Sequence, residues 1–170
     1  MIKRNNPFVE FVLNHIQHYN PKKYWKRRTE VINPKSKKPK LIRLLWLLYI
    51  KKADAFNNCS FGTDLGNGAV FKSTPYLPHR LNGIVIGHNV VIGNNCTICQ
   101  HVTIMHGGCS PTTIGDNCFI GAGAVVLSGV VIGDNVRIGA NAVVTKDVPS
   151  NCKVVGVPAK IVKMNNDIAE

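Results

Sequence analysis

The chain has 170 residues, 45% of them apolar, and a net charge of +12. That length and apolar content exclude a disordered or fibrous polymer and suit one core, or a repeat array with a short appendage. The charge is lopsided: residues 1–52 hold fourteen basic side chains against Glu10 and Glu30, whereas from Ala53 to Glu170 seven basic residues meet seven acidic ones.

Within that basic head (1–56), "PFVEFVLNHIQHY" (7–19) reads as a short amphipathic helix, "NPKSKKPK" (33–40) as a loop and "LIRLLWLLYIKKADAF" (41–56) as a second helix. The apolar run 41–50 is too short to span a bilayer. The helices are expected to cap a core; the competing expectation is peripheral membrane contact through residues 22–52, led by "KKYWKRR" with Lys51 and Lys52 behind it. No recognition motif accompanies the charge, so nucleic acid is not an expected partner. The first residues are polar and lack the apolar core of a secretory signal, and six scattered cysteines suit a reducing compartment. The expected location is the cytoplasm, extending to the inner face of the membrane if the head touches lipid.

Residues 57–163 repeat. Ile86, Ile92, Ile98 and Ile104 fall six apart, and "IGDNCF", "IGAGAV", "VLSGVV", "IGDNVR" and "IGANAV" continue the pattern, with Gly usually second and a small residue fifth. The register extends upstream through Cys59, Leu65, Phe71 and Leu77, with three extra residues before Ile86. A period of six with β-branched residues and glycine argues against helix and for one short strand plus a turn per unit. Three units close a triangular coil of about eighteen residues, and coils stack by pairing backbones. The fold class is an all-β solenoid, a parallel β-helix with a short N-terminal helical cap. One interruption, 105–113 within "TIMHGGCSPTTIG", is expected to leave the prism as a loop. At the far end "VPSNCKVVGVPAKIV" (148–162) leaves the repeat before a polar tail, 164–170. The "CTIC" of Cys96 and Cys99 fits no redox or zinc site, because Cys96 occupies a small fifth position of the repeat.

The array resembles the hexapeptide-repeat acyltransferases, and that resemblance implies a left-handed coil. "LPHRLNGIVIGHNVVIGNNCTICQHVTI" (77–104) and "VVGVPAKIV" (154–162) are similar to serine acetyltransferases and to their relatives that acetylate sugars of surface polysaccharides. The resemblance implies a homotrimer with acetyl-CoA as acyl donor in the groove between neighbouring β-helices, and no metal. It implies that His79 is the general base, that Asn58 takes the place of the orienting aspartate, and that His106 is a second site histidine. Gly107 and Gly108 would admit the thioester, Ala122 and Ala140 would lie along the cofactor, and Arg137 and Lys160 would meet its phosphates. Departures from the serine enzymes are Pro78 where they carry an aspartate, "SPTT" where they carry a late loop histidine, and the ending "DIAE". These departures favour a sugar hydroxyl as acceptor, with L-serine second, and no cysteine synthase partner. Two rival classes are a gamma-class carbonic anhydrase, from the His101 and His106 spacing, and a non-catalytic trimeric scaffold.

Overall fold

In the computed structural model, which describes residues 7–164, the six-residue period becomes a left-handed prism of about five coils. Face I stacks β4 (Val85–Ile86), β7 (Thr103–Ile104), β10 (Val125–Val126) and β13 (Val143–Val144). Face II stacks β3 (Val70–Phe71), β5 (Val90–Ile92), β8 (Thr112–Ile114) and β11 (Val131–Ile132). Face III stacks β6 (Thr97–Ile98), β9 (Phe119–Ile120), β12 (Arg137–Ile138) and β14 (Cys152–Val155), with β15 (Lys160–Met164) antiparallel along its end. All other pairings between coils are parallel and in register, so like positions superpose.

That superposition builds the core. Ile86, Ile104, Val126 and Val144 form one interior column, Phe71, Ile92, Ile114 and Ile132 a second, and Ile98, Ile120, Ile138 and Val154 a third. Between them lie the small fifth residues, Cys96, Val102, Cys118, Ala124, Val136 and Ala142, all buried. The Cys96 and Cys118 thiols rest on the carbonyls of Gly115 and Gly133 inside the prism, which makes them packing residues. The II–III corner is tied by an amide ladder in which Asn95 donates to Asn117, Asn117 to Asn135 and Asn135 to Asn151, at 3.4, 3.2 and 2.9 Å. Each of these asparagines holds φ between 55° and 60°, a conformation Asn tolerates better than most residues.

Upstream the period fails, and the reason is local. Between Ser60, which bridges to Val85, and β3, the chain makes an antiparallel hairpin of β1 (Thr63–Asp64) and β2 (Asn67–Gly68). Leu65 sits at its tip, and Phe61 and Ala69 fill the interior in place of Cys59 and Leu65. Downstream, Thr112 and Thr113 already pair with Val90 and Val91, so the excursion is 105–111 and not 105–113. Met164 belongs to β15, and the rest of the expected tail lies outside the described residues, as do residues 1–6.

Three helices cover the open end: α1 (Pro7–Ile16), α2 (Pro21–Ile32) and α3 (Lys40–Phe56). The sequence suggested two, because α2 is masked by its charges. Its inward face is Tyr24, Trp25, Arg28 and Val31, and Asn20 caps it by accepting from Lys23 N. Arg28 corrects the reading of "KKYWKRR" as a free basic surface. It is 2% exposed and donates to Thr63 Oγ1, Phe61 O and Ala69 O at 2.9, 2.6 and 2.7 Å, bolting α2 to the first coil. Among the described residues no helix is long and apolar enough to cross a membrane.

Candidate active site

At the III–I corner one stacked position per coil is held at positive φ, by Asn58, Gly83, His101, Gly123 and Asn141, with Arg80 a second such residue in the coil of Gly83. Their amides form a column, Gly83 N donating to Asn57 O, His101 N to Asn82 O, Gly123 N to Gln100 O and Asn141 N to Ala122 O, over 2.8–3.1 Å. The three extra residues before Ile86 lengthen the turn at this corner, and exposed His79 stands on it. The His101 ring packs directly on Gly83, where a β-carbon would collide with it. Ala122 and Ala140 follow in successive coils, and the edge ends at 156–159, where Ala159 N donates to Val143 O, with Lys160 next. His79, Ala122, Ala140 and Lys160 therefore mark one continuous edge, roughly 20 Å long at the usual strand spacing.

Two of the expected residues stand elsewhere. Arg137 lies on face III with its guanidinium 5.0 Å from the Phe119 ring centroid. Asn58 is on the right corner but in line with Gly83, and among the described residues no hydrogen bond joins it to His79.

The I–II corner holds a second polar cluster, of which the sequence points only to His106. His88 Nε2 is 3.3 Å from Asp64 Oδ2, and Lys51 Nζ is 3.5 Å from Asp64 Oδ1. One coil on, His106 Nδ1 lies 2.6 Å from the carbonyl of His88, with the two rings 6.4 Å apart. A carbonyl can only accept, so His106 Nδ1 carries the hydrogen of this bond. Gly87 lies directly beneath His106, where a β-carbon would meet the His106 backbone at 2.5–2.6 Å. A signal was present: His88 and His106 are eighteen residues apart, one full coil, and so must stack. Asp64 is hidden by the hairpin, which shifts the register that points to Asn58.

The loop 105–111 springs from this corner. Gly107 is buried, and Asn89 Nδ2 donates to Gly107 O at 2.8 Å; Gly108 is exposed. His101 and His106 flank β7 and occupy different corners, so within one chain they do not form the paired ligands of a carbonic anhydrase. Among the described residues no three His, Cys, Asp or Glu side chains are placed to hold a metal.

The sequence matches the family "Bacterial transferase hexapeptide (six repeats)" over residues 111–146. It is 40% identical over 119 residues to the serine acetyltransferase of Mycobacterium tuberculosis, a stretch covering 68% of this chain and 52% of that one. Among solved structures it superposes on Neisseria gonorrhoeae serine acetyltransferase in complex with serine, with a TM-score of 0.66 and 27% identity over 95% of this chain and 63% of the other. A serine acetyltransferase in complex with CoA superposes with a TM-score of 0.59 and 28% identity, over 91% of this chain and 56% of that one. The chain thus spans about half the length of the curated relatives it matches. These relatives overturn the expectation of a sugar acceptor: they are serine acetyltransferases, and one of the solved structures holds serine. By its repeat, its coil geometry and these relatives, the chain belongs with the hexapeptide-repeat proteins that resemble serine acetyltransferases.

Proposed function

We propose that this protein is an acetyl-CoA-dependent serine O-acetyltransferase working as a trimer. The observation that carries the reading is the continuous III–I edge, with His79 at one end and Lys160 at the other, in a chain related to serine acetyltransferases. An elongated donor laid along that edge has its thioester near His79 and its phosphates near Lys160. Small Ala122 and Ala140 leave room for its arm.

His79 takes the proton of the serine hydroxyl as that oxygen attacks the thioester carbonyl; the C–S bond then breaks, and the CoA thiolate leaves and recovers a proton. A ring association joins two different surfaces of each subunit. The two polar corners supply such a pair, so the III–I edge of one subunit meets Asp64, His88 and loop 105–111 of the next. In that arrangement Asp64 suits the orienting role better than Asn58, and His106, when neutral, can accept from the serine ammonium group at Nε2.

The test is release of CoA thiol from acetyl-CoA with and without L-serine. Serine-dependent release is expected, falling about a hundredfold or more in His79→Ala with the oligomer intact. Absence of any serine-dependent release would sink the assignment, and activity of His79→Ala within a few-fold of wild type would remove His79 as the base.

A further inference from the structure

The outer face of α3 is apolar where solvent would favour polar residues. Leu41, Leu45 and Leu48 are 70%, 58% and 66% exposed, and Phe56, one turn past Lys52 on the same line, is 57% exposed. Positions 41, 45, 48, 52 and 56 recur at three- or four-residue spacing and so form a single stripe along the helix. At its far end the His18 ring stacks edge-on against Phe56, 4.6 Å between centroids, which brings the exit of α1 alongside. Isolated exposed leucines need no explanation; an aligned row of them does.

Charge at the start of α3 points to the occupant. Lys35, Lys37, Lys38 and Lys40 are exposed immediately before and at its first turn. The helix has no acidic residue in that turn, and Pro39 offers no side-chain cap. Cations at the positive end of a helix dipole repel it, an arrangement that an external anion relieves. Neighbouring acids offset this edge only in part: Glu30, which accepts from the Ser36 hydroxyl, sets one carboxylate against these four lysines, Asp54 is buried, and Asp64 is engaged by Lys51 and His88. Arg43 is spent on the last carbonyls of α2, Val31 O and Asn33 O, at 2.6 and 2.8 Å.

We propose that the α3 stripe docks the protein on an anionic bilayer, its leucines entering the interface, Lys52 snorkelling, and the lysines of 35–40 meeting lipid phosphates. This differs from contact through "KKYWKRR", whose Trp25 and Arg28 are buried. It is also independent of the acetyl-transfer reading.

Co-sedimentation of the full chain with vesicles of phosphatidylcholine containing about 30% phosphatidylglycerol, against phosphatidylcholine alone, tests it. Binding is expected with the anionic vesicles only. It should fall about tenfold or more in Leu45→Ser/Leu48→Ser and in Lys37→Gln/Lys38→Gln/Lys40→Gln, and should weaken with salt for the second reason alone. Both variants alter exposed side chains, so serine-dependent thiol release should be unchanged. Light scattering supplies the other arm: if Leu45→Ser/Leu48→Ser lowers the oligomeric state, the stripe is an interface between copies and the proposal fails. It also fails if wild type ignores anionic vesicles, or if the leucine variant binds them as well as wild type.

Discussion

A methyl group added at Gly107 would run into Thr112 N and Ser110 O and stand 2.7 Å from Asn89 O, whereas one added at Gly108 meets nothing within 4 Å. Neighbouring glycines in one loop thus answer to different constraints. The first lets the chain fold back over Asn89 so that Thr112 can rejoin face II; the second leaves space open to solvent. Gly107→Ala should therefore displace the loop or cost about 1–3 kcal/mol, the usual range for overpacking, while Gly108→Ala should unfold like wild type. Denaturant unfolding of the two variants checks this, and equal stability would mean that the loop yields without penalty. At this scale the sequence was only partly legible. It presented Gly107 and Gly108 as a pair admitting a ligand, because crowding between coils depends on which residues superpose across an interruption.

Among the elements, α2 and α3 are joined within the helical cap by a buried polar junction. Tyr24 Oη donates to Asp54 Oδ1 at 2.5 Å, and the Cys59 thiol lies 3.7 Å from the same oxygen. Burial is the main influence on Asp54 and lifts its carboxyl to about 6, against the pull of the Tyr24 hydroxyl, Lys51, Arg28 and the Cys59 thiol. The unfolded chain releases this proton near 3.9, so between there and about 6 the folded state binds more protons. Stability from this group is therefore greatest in acid and is lost as pH rises through that window, by on the order of 3 kcal/mol. Asp54→Asn should remove this part of the slope, and Tm measured from pH 4 to pH 7 in both proteins gives the difference; parallel curves would mean Asp54 is ionised throughout. The elements divide sharply in legibility. Aliphatic residues six apart announce the coils, because every coil repeats the same inward demand. Helix α2 was obscured because Arg28 counts as a charge in composition yet acts as a buried strut. The β1–β2 hairpin was obscured because antiparallel pairing within one coil interrupts the period without a long insertion.

For the whole molecule, stacked coils gain stability from their immediate neighbours, so a ligand spanning several coils ties together units that otherwise communicate stepwise. The III–I edge runs from the His79 turn to the segment before Lys160, across nearly the full prism, and in the proposed trimer a second subunit closes over it. Free CoA should then bind the native assembly and not the unfolded chain. At about one hundred times its Kd it would contribute about 2.7 kcal/mol, which for a protein of this size raises Tm by roughly 5–10 °C. Lys160 is exposed and outside the core, and the proposed binding mode puts the phosphates beside it. Lys160→Ala should therefore shrink the shift at a fixed CoA concentration while leaving the ligand-free Tm and turnover at saturating acetyl-CoA close to wild type. A shift undiminished in Lys160→Ala would place the phosphates on another side chain. Complete insensitivity of Tm to millimolar CoA would empty the edge of its proposed ligand.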